Sequence, residues 1–257
     1  MPASVETLGP VLLSNYGAFT SMQVEDGAVR GLDLHLERLK QEALELFGVA
    51  VPEQRLRERM RSALAGREGR CSLRVQLHLE AVTLRAPAAR GAPSVLVVVS
   101  DPASPLRTPL RLATRTYARE APHLKHAGTF GLTRARRAAA EAGFDDALFV
   151  GPDGLVSEGS IWNIGFVESG RIIWPAAPML AGTGQALLRR GLAAVGLDDE
   201  VRAVDRAALS DVRQAFICNS ATPACPVGAI DGRPLDVEPA LIDRLEAAWA
   251  TNAPQAI

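Results

Sequence analysis

The chain contains only two lysines, Lys40 and Lys125, against twenty-six arginines. A lysine amine can lose its proton at accessible pH and act as a nucleophile, whereas a guanidinium stays charged. Lys125 stands in the irregular stretch APHLKHAGTFG. Its plain alternative is a solvated linker residue, because most charged side chains are exposed. Glu158 follows a predicted hairpin turn in SEGSIWN, with a surface carboxylate as its alternative. The run LAGTG sets Thr183 and Gly184 ahead of a predicted helix, where free backbone N–H groups and the helix dipole can hold a phosphate. In ICNSATPACPV, Asn219, Ser220 and Thr222 form a turn after a strand that can offer hydroxyls and backbone donors to the same phosphate. Taken singly, an ordinary capped turn explains it equally.

An amine nucleophile, two phosphate-holding turns and an isolated carboxylate together suit pyridoxal 5'-phosphate. The lysine would form a Schiff base with the cofactor aldehyde, and the turns would anchor the phosphate. A carboxylate facing the pyridine nitrogen would keep the ring protonated and able to accept electrons from a substrate carbanion.

Other classes of function have less support. A net charge of -1 and a pI near 6.4 supply no basic field for nucleic acid or an anionic membrane surface. The N-terminus MPASVETLGP lacks the charged and apolar regions of a secretory leader, and no apolar run is long enough to span a bilayer. A cytoplasmic location is therefore expected, with small molecules as partners. Cys71, Cys218 and Cys225 form no CxxC pair and are expected as buried apolar residues. His123 and His126 have no carboxylate or thiol at ligand spacing, so no metal site is expected.

The elements that must position these residues read as α+β. Short strands are predicted from Val11 to Arg30 around an Asp26-Gly27 turn. A helix follows through Leu32, Leu36, Leu39, Ala43 and Leu46, capped by Asp33 and stopped by Gly48, and a second helix runs from Pro52 to Leu64. Residues 71–80 alternate as a strand with one wet face, 94–100 read as a buried strand, and 110–116 read as another. Residues 101–109 and 117–130 read as loop and linker. A domain boundary is placed there, giving residues 1–117 and 118–257. The second part is expected to carry a helix over 132–142, a hairpin turning at Asp153-Gly154, four further strands, a helix after LAGTG and a closing helix over 238–252.

The run LKHAGTFGLTRARRAAAEAGFDDALFVGPDGLVSEGSIWNIGFV places a glutamate thirty-three residues after the lysine. With HLERL and the two turns, it resembles the fold-type IV pyridoxal-phosphate enzymes, the class IV aminotransferase family, from about Asn15 to Ile230. That family includes branched-chain and D-amino-acid aminotransferases and 4-amino-4-deoxychorismate lyase. The resemblance implies a small N-terminal α/β domain and a larger C-terminal domain with a pseudo-barrel β core, an active site between them, and a homodimer.

The same resemblance makes Lys125 the Schiff-base lysine and proton shuttle, and Glu158 the partner of the pyridine nitrogen. Arg38, Thr183, Gly184, Ser220 and Ala221 fall at phosphate contacts and Asn163 beside the cofactor; a helix pair with Glu42 is the alternative for Arg38. Arg74, Arg107 and Phe130 are candidates for contact with substrate, the arginines through bidentate carboxylate binding. Three positions depart from the family pattern: Gly184 replaces a usual threonine, Phe130 a tyrosine and Gln185 an arginine. The activity implied is amino-group transfer between an amino acid or amine and an oxo acid or ketone. Alternatives are the lyase reaction, releasing pyruvate and 4-aminobenzoate, and a non-catalytic scaffold.

Overall fold

The computed structural model describes residues 15–257. The part of the first predicted strand that begins at Val11 lies outside the described residues. The chain forms two compact units. One takes the described residues up to Ala103 together with Leu124–Thr129 and Pro254–Ile257; the other comprises Ser104–His123 and Phe130–Ala253. The division falls at Ala103/Ser104 rather than at residue 117, because strand 110–116 pairs with strands of the second unit.

The first unit is a five-stranded sheet carrying two helices. Strand β1 (Gly17–Glu25) turns through Asp26 and Gly27 into β2 (Ala28–Arg30). Both turn residues have positive φ, 48° and 74°, as a two-residue hairpin turn requires. Helix α1 (Leu32–Phe47) starts after Gly31 and stops at Gly48, whose N–H returns to the Leu44 carbonyl. Asp33 is not its cap: it lies in the first turn, and its own N–H donates to Gln255 Oε1. Helix α2 (Glu53–Leu64) follows, then β3 (Arg70–His78), with Leu73, Val75 and Leu77 turned into the core as the alternation predicts.

Strand β4 (Ser94–Ser100) is not the fully buried strand its apolar run suggests. It lies at the sheet edge, where only Val95 is buried and Val98 is exposed. The last strand of the chain, β14 (Pro254–Ala256), forms the other edge beside β2, and Ile257 joins the core built on Leu32, Leu36, Leu39, Phe47 and Leu73.

The second unit is built on a mixed nine-stranded sheet. It contains β5 (Leu110–Thr116), β6 (Asp146–Val150), β7 (Val156–Gly159), β8 (Asn163–Glu168), β9 (Arg171–Pro175), β10 (Asp199–Arg202), β11 (Gln214–Cys218), β12 (Cys225–Ile230) and β13 (Arg233–Pro234). The path runs β10-β9-β8-β11-β12-β5-β6-β7, with β13 on β12. The end strand β7 also packs against β8, so the sheet curls back as a half-barrel. Helix α3 (Phe130–Glu141) lies in the connection between the parallel strands β5 and β6. Helices α4 (Thr183–Gly191) and α5 (Pro239–Ala250) cover a core of Ile172, Trp174, Leu188, Phe216 and Leu245.

The architecture is α+β, as its sequence pattern predicts. Short β10 and β14 escaped that reading because three or four residues, mostly half-exposed in β10 and all exposed in β14, carry little alternation. Cys71, Cys218 and Cys225 are free and buried. Burial pushes the Cys225 thiol up to about 11 and raises that of Cys218 further, which keeps both protonated. No helix is long and apolar enough to cross a membrane, and no cluster suited to a metal ion occurs among the described residues.

Candidate active site

In the first unit the candidate side chains gather around β1 and α1. Spacings of three and four along α1 put His35, Arg38 and Glu42 on one helical face. His35 is fully buried, and its Nδ1 lies 2.6 Å from Thr20 Oγ1. Burial, reinforced by the nearby charges of Arg38 and Lys125, lowers its pKa to about 3, so the ring is neutral. Lys125 lies along the outer edge of β1: the Phe19 N–H donates to its carbonyl at 2.9 Å and the Ala127 N–H to the Gly17 carbonyl at 2.7 Å. Its own N–H donates to Glu42 Oε1 at 2.6 Å. The amine lies 5.0 Å from the centre of the Phe19 ring, over which the Arg74 guanidinium is stacked at 3.6 Å. Arg74 also donates through Nε and Nη2 to Gln76 Oε1, and desolvation lowers its pKa.

In the second unit the two glycine- and threonine-bearing turns meet at one edge of the sheet. Antiparallel pairing sets Asn163, the first residue of β8, opposite Cys218, the last of β11. Asn163 Nδ2 donates to the Leu180 carbonyl at 2.9 Å, and a β-carbon on Gly182 would stand 1.8 Å from Asn163 Oδ1. Asn163 therefore braces the LAGTG loop. Helix α4 begins directly after it. The Ala186 N–H makes the first intrahelical bond, to the Gly182 carbonyl, which leaves the N–H groups of Thr183, Gly184 and Gln185 ahead of the ladder. A β-carbon on Gly184 would stand 2.6 Å from the Asn219 carbonyl, so only glycine lets the helix start approach that turn. The turn itself closes on Asn219, whose Oδ1 accepts the N–H groups of Ala221 and Thr222 at 2.8 Å each. The Ala221 N–H is thus committed within the turn. Thr222 is buried, and its hydroxyl oxygen accepts the Leu106 N–H.

Glu158 is buried on β7. The chain after it is clamped by Asp146, which accepts Ser160 Oγ at 2.7 Å and Trp162 Nε1 at 3.0 Å, with Arg136 Nε at 3.4 Å. The Trp162 ring lies where a side chain on Gly159 would project, 2.3 Å from an added β-carbon. Tyr117 packs against Phe149, with its hydroxyl against Gly131, and burial raises its pKa with Arg119 and Glu158 within electrostatic reach.

Two predicted substrate contacts are exposed side chains of the second unit. Arg107 pairs with Glu246 at 3.2 Å, and Phe130 is 78% exposed at the start of α3. The sequence reading also passed over Phe19, His35, Tyr117 and Asp146, and treated Glu42 only as a helix partner of Arg38. A signal was available for two of them: His35 and Glu42 interrupt the apolar face of α1 with titratable groups seven residues apart.

The class IV amino-transferase family model matches residues 17–230. The chain belongs to the class IV aminotransferase family. Its fold matches a fold IV-transaminase from Curtobacterium pusillum with a TM-score of 0.79 and 27% identity, over 92% of this chain and 85% of that one. A hypothetical aminotransferase from Mycobacterium tuberculosis in its PLP-bound form matches at 0.79 and 24%, over 98% and 95%. A branched-chain aminotransferase from Thermoproteus uzoniensis, solved with norvaline, matches at 0.85 and 23%, over 96% and 89%. No curated protein matches the chain.

Class IV aminotransferases and their lyase relatives are pyridoxal-phosphate enzymes, so this chain is an enzyme with that cofactor. The residues of each unit suit parts of that group: in the second unit the opening of α4 carries backbone donors and a dipole suited to a phosphate, and Glu158 is a buried carboxylate; in the first, the Lys125 amine projects from a backbone held by Glu42.

Proposed function

We propose that the chain is a homodimeric aminotransferase acting on small amino and oxo compounds, with Lys125 as the catalytic residue. The observation that carries this reading is the sharing of one aromatic ring by two cations: the Lys125 amine and the Arg74 guanidinium both lie over Phe19. Arg74 then grips the carboxylate of an amino-acid donor through its fork of donors, so that the α-carbon faces the lysine. Lys125 would act as general base toward the α-proton and, once protonated, as the general acid that returns it. The cofactor, when bound, supplies the electron sink for that carbanion.

In this reading the N–H groups of Thr183 and Gly184, Ser220 at the second turn and Arg38 would contact the phosphate, and Glu158 would keep the pyridine nitrogen protonated. Asn163 and Ala221 act through the turns they brace. The committed Ala221 N–H and the side-chain-free Gly184 support a phosphate grip that relies on helix-start backbone donors.

Borohydride reduction of the protein loaded with pyridoxal 5'-phosphate, followed by peptide mass mapping, tests the assignment. A reduced pyridoxyl group is expected on Lys125 and not on Lys40. Its absence from Lys125 overturns the reading. Mixing the loaded enzyme with a panel of D- and L-amino acids and amines should convert the cofactor to its pyridoxamine form. Pyruvate release from aminodeoxychorismate without any amino acceptor would assign the lyase reaction instead.

A further inference from the structure

We propose that Glu42 is a positioning residue for Lys125, its buried carboxylate fixing the lysine backbone and so aiming the amine. This rests on the reading of Lys125 given above. The segment Leu124–Thr129 belongs to the first unit but has no helix and only an isolated bridge, Ala18 with His126. Its place is the outer edge of β1, which β2 leaves open because it pairs only with Val24 and Glu25. Bonds from Phe19 to the Lys125 carbonyl and from Ala127 to Gly17 flank the bridge.

Were the ladder to continue, the Lys125 N–H would turn to β1 as well. It donates instead to Glu42 Oε1 at 2.6 Å. The chain leaves the strand at Lys125, and the carboxylate secures that departure. It also satisfies an N–H in a part-buried setting, where loss of the acceptor leaves a donor stranded.

Glu42 reaches this point from α1, four residues after Arg38 and seven after His35. A single rigid helix thereby sets both the arginine assigned to the phosphate and the backbone of the lysine assigned to the aldehyde. The amine of Lys125 projects from a peptide tied on both sides, which leaves its side-chain torsions as the remaining freedom. Such restriction favours a catalytic group that must serve two neighbouring carbon atoms in turn.

The two-lysine composition makes the test direct, because among side chains amine acylation of the apoprotein, read by peptide mapping, compares Lys125 with Lys40 alone. Lys40 is half-exposed and paired with Glu37, so it serves as internal standard. Glu42→Gln keeps an oxygen acceptor; Glu42→Met keeps the approximate volume and removes it. In Glu42→Gln, amide exchange at Lys125 and the Lys125:Lys40 acylation ratio over pH should stay within about twofold of the parent. In Glu42→Met, exchange at the Lys125 amide should rise at least about tenfold, and the acylation ratio at least about threefold, as the amine leaves the Phe19 ring.

Where Glu42→Met does not fold, Glu42→Ala is read in the same way. Unchanged exchange in the Met variant, or a Gln variant as disturbed as the Met one, overturns the proposal. Borohydride mapping of the parent separates the two claims. If Lys125 carries no adduct but the Met variant still frees its amide, the anchor stands and the assignment of Lys125 to the cofactor falls. If Lys125 carries the adduct and the Met variant is unchanged, the positioning role falls alone.

Discussion

Gly184 at the start of α4 approaches Asn219 so closely that an added β-carbon would stand 2.6 Å from the Asn219 carbonyl carbon and oxygen. No side chain can occupy position 184 unless the turn moves. The threonine common in the family is therefore incompatible with this local packing. Gly184→Ala should cost about 1–3 kcal/mol in stability through overpacking and weaken cofactor binding at the same time. Thermal unfolding of the apoprotein and a pyridoxal-phosphate titration check the two effects separately. A variant equal to the parent in both would mean that the contact yields without cost.

Asp146 is buried and holds Ser160 and Trp162 just beyond Glu158. Asp146→Ala strands both donors and should destabilise the protein by about 2–4 kcal/mol. Urea unfolding gives the loss, and a changed tryptophan emission reports the release of Trp162. Retention of parental emission and midpoint would argue that Ser160 and Trp162 find other acceptors.

Arg74 is stacked on Phe19 within reach of the Lys125 site. Arg74→Gln should raise KM for amino-acid donors by about tenfold or more, through loss of the charged fork. Amine donors without a carboxylate should be little affected. On the proposed assignment, trapping of the cofactor on Lys125 should persist, because the substitution leaves the lysine in place. Equal losses for both kinds of donor would assign Arg74 to packing.

His35 is buried neutral, with its pKa lowered to about 3 by burial and by Arg38 and Lys125. In the unfolded chain an unperturbed histidine titrates near about 6.5. Between these values the unfolded state binds the additional proton, so this contribution is fully present above about pH 6.5 and falls with pH down to about 3. The slope is up to about 1.4 kcal/mol per pH unit. Urea unfolding at neutral and mildly acidic pH should show a smaller acid loss in His35→Asn than in the parent. Identical slopes would remove His35 as the source.

The regular elements were largely legible because their burial follows simple periods. Leu73, Val75 and Leu77 alternate on β3, and Leu32, Leu36, Leu39 and Ala43 mark the inner face of α1. Lys125 stood out through its scarcity, and Glu158 through its distance from that lysine. The supports of the site were less legible because they depend on pairings remote in sequence. Glu42 meets Lys125 across eighty-three residues, and Asp146 serves a loop that follows a turn. The exposure of β4 was hidden for a similar reason. Its apolar composition does not reveal which strand ends the sheet.

The first unit is assembled from three separated pieces of chain, the last being Pro254–Ile257 as edge strand and core residue. Its sheet is therefore complete only when Leu124–Thr129 and β14 have joined the strands up to β4, so the edge that carries Lys125 depends on pieces of chain far apart in sequence. Removing the last four residues of this sequence should thus impair the Lys125 region more than their small number suggests, through loss of β14 and the Ile257 core contact.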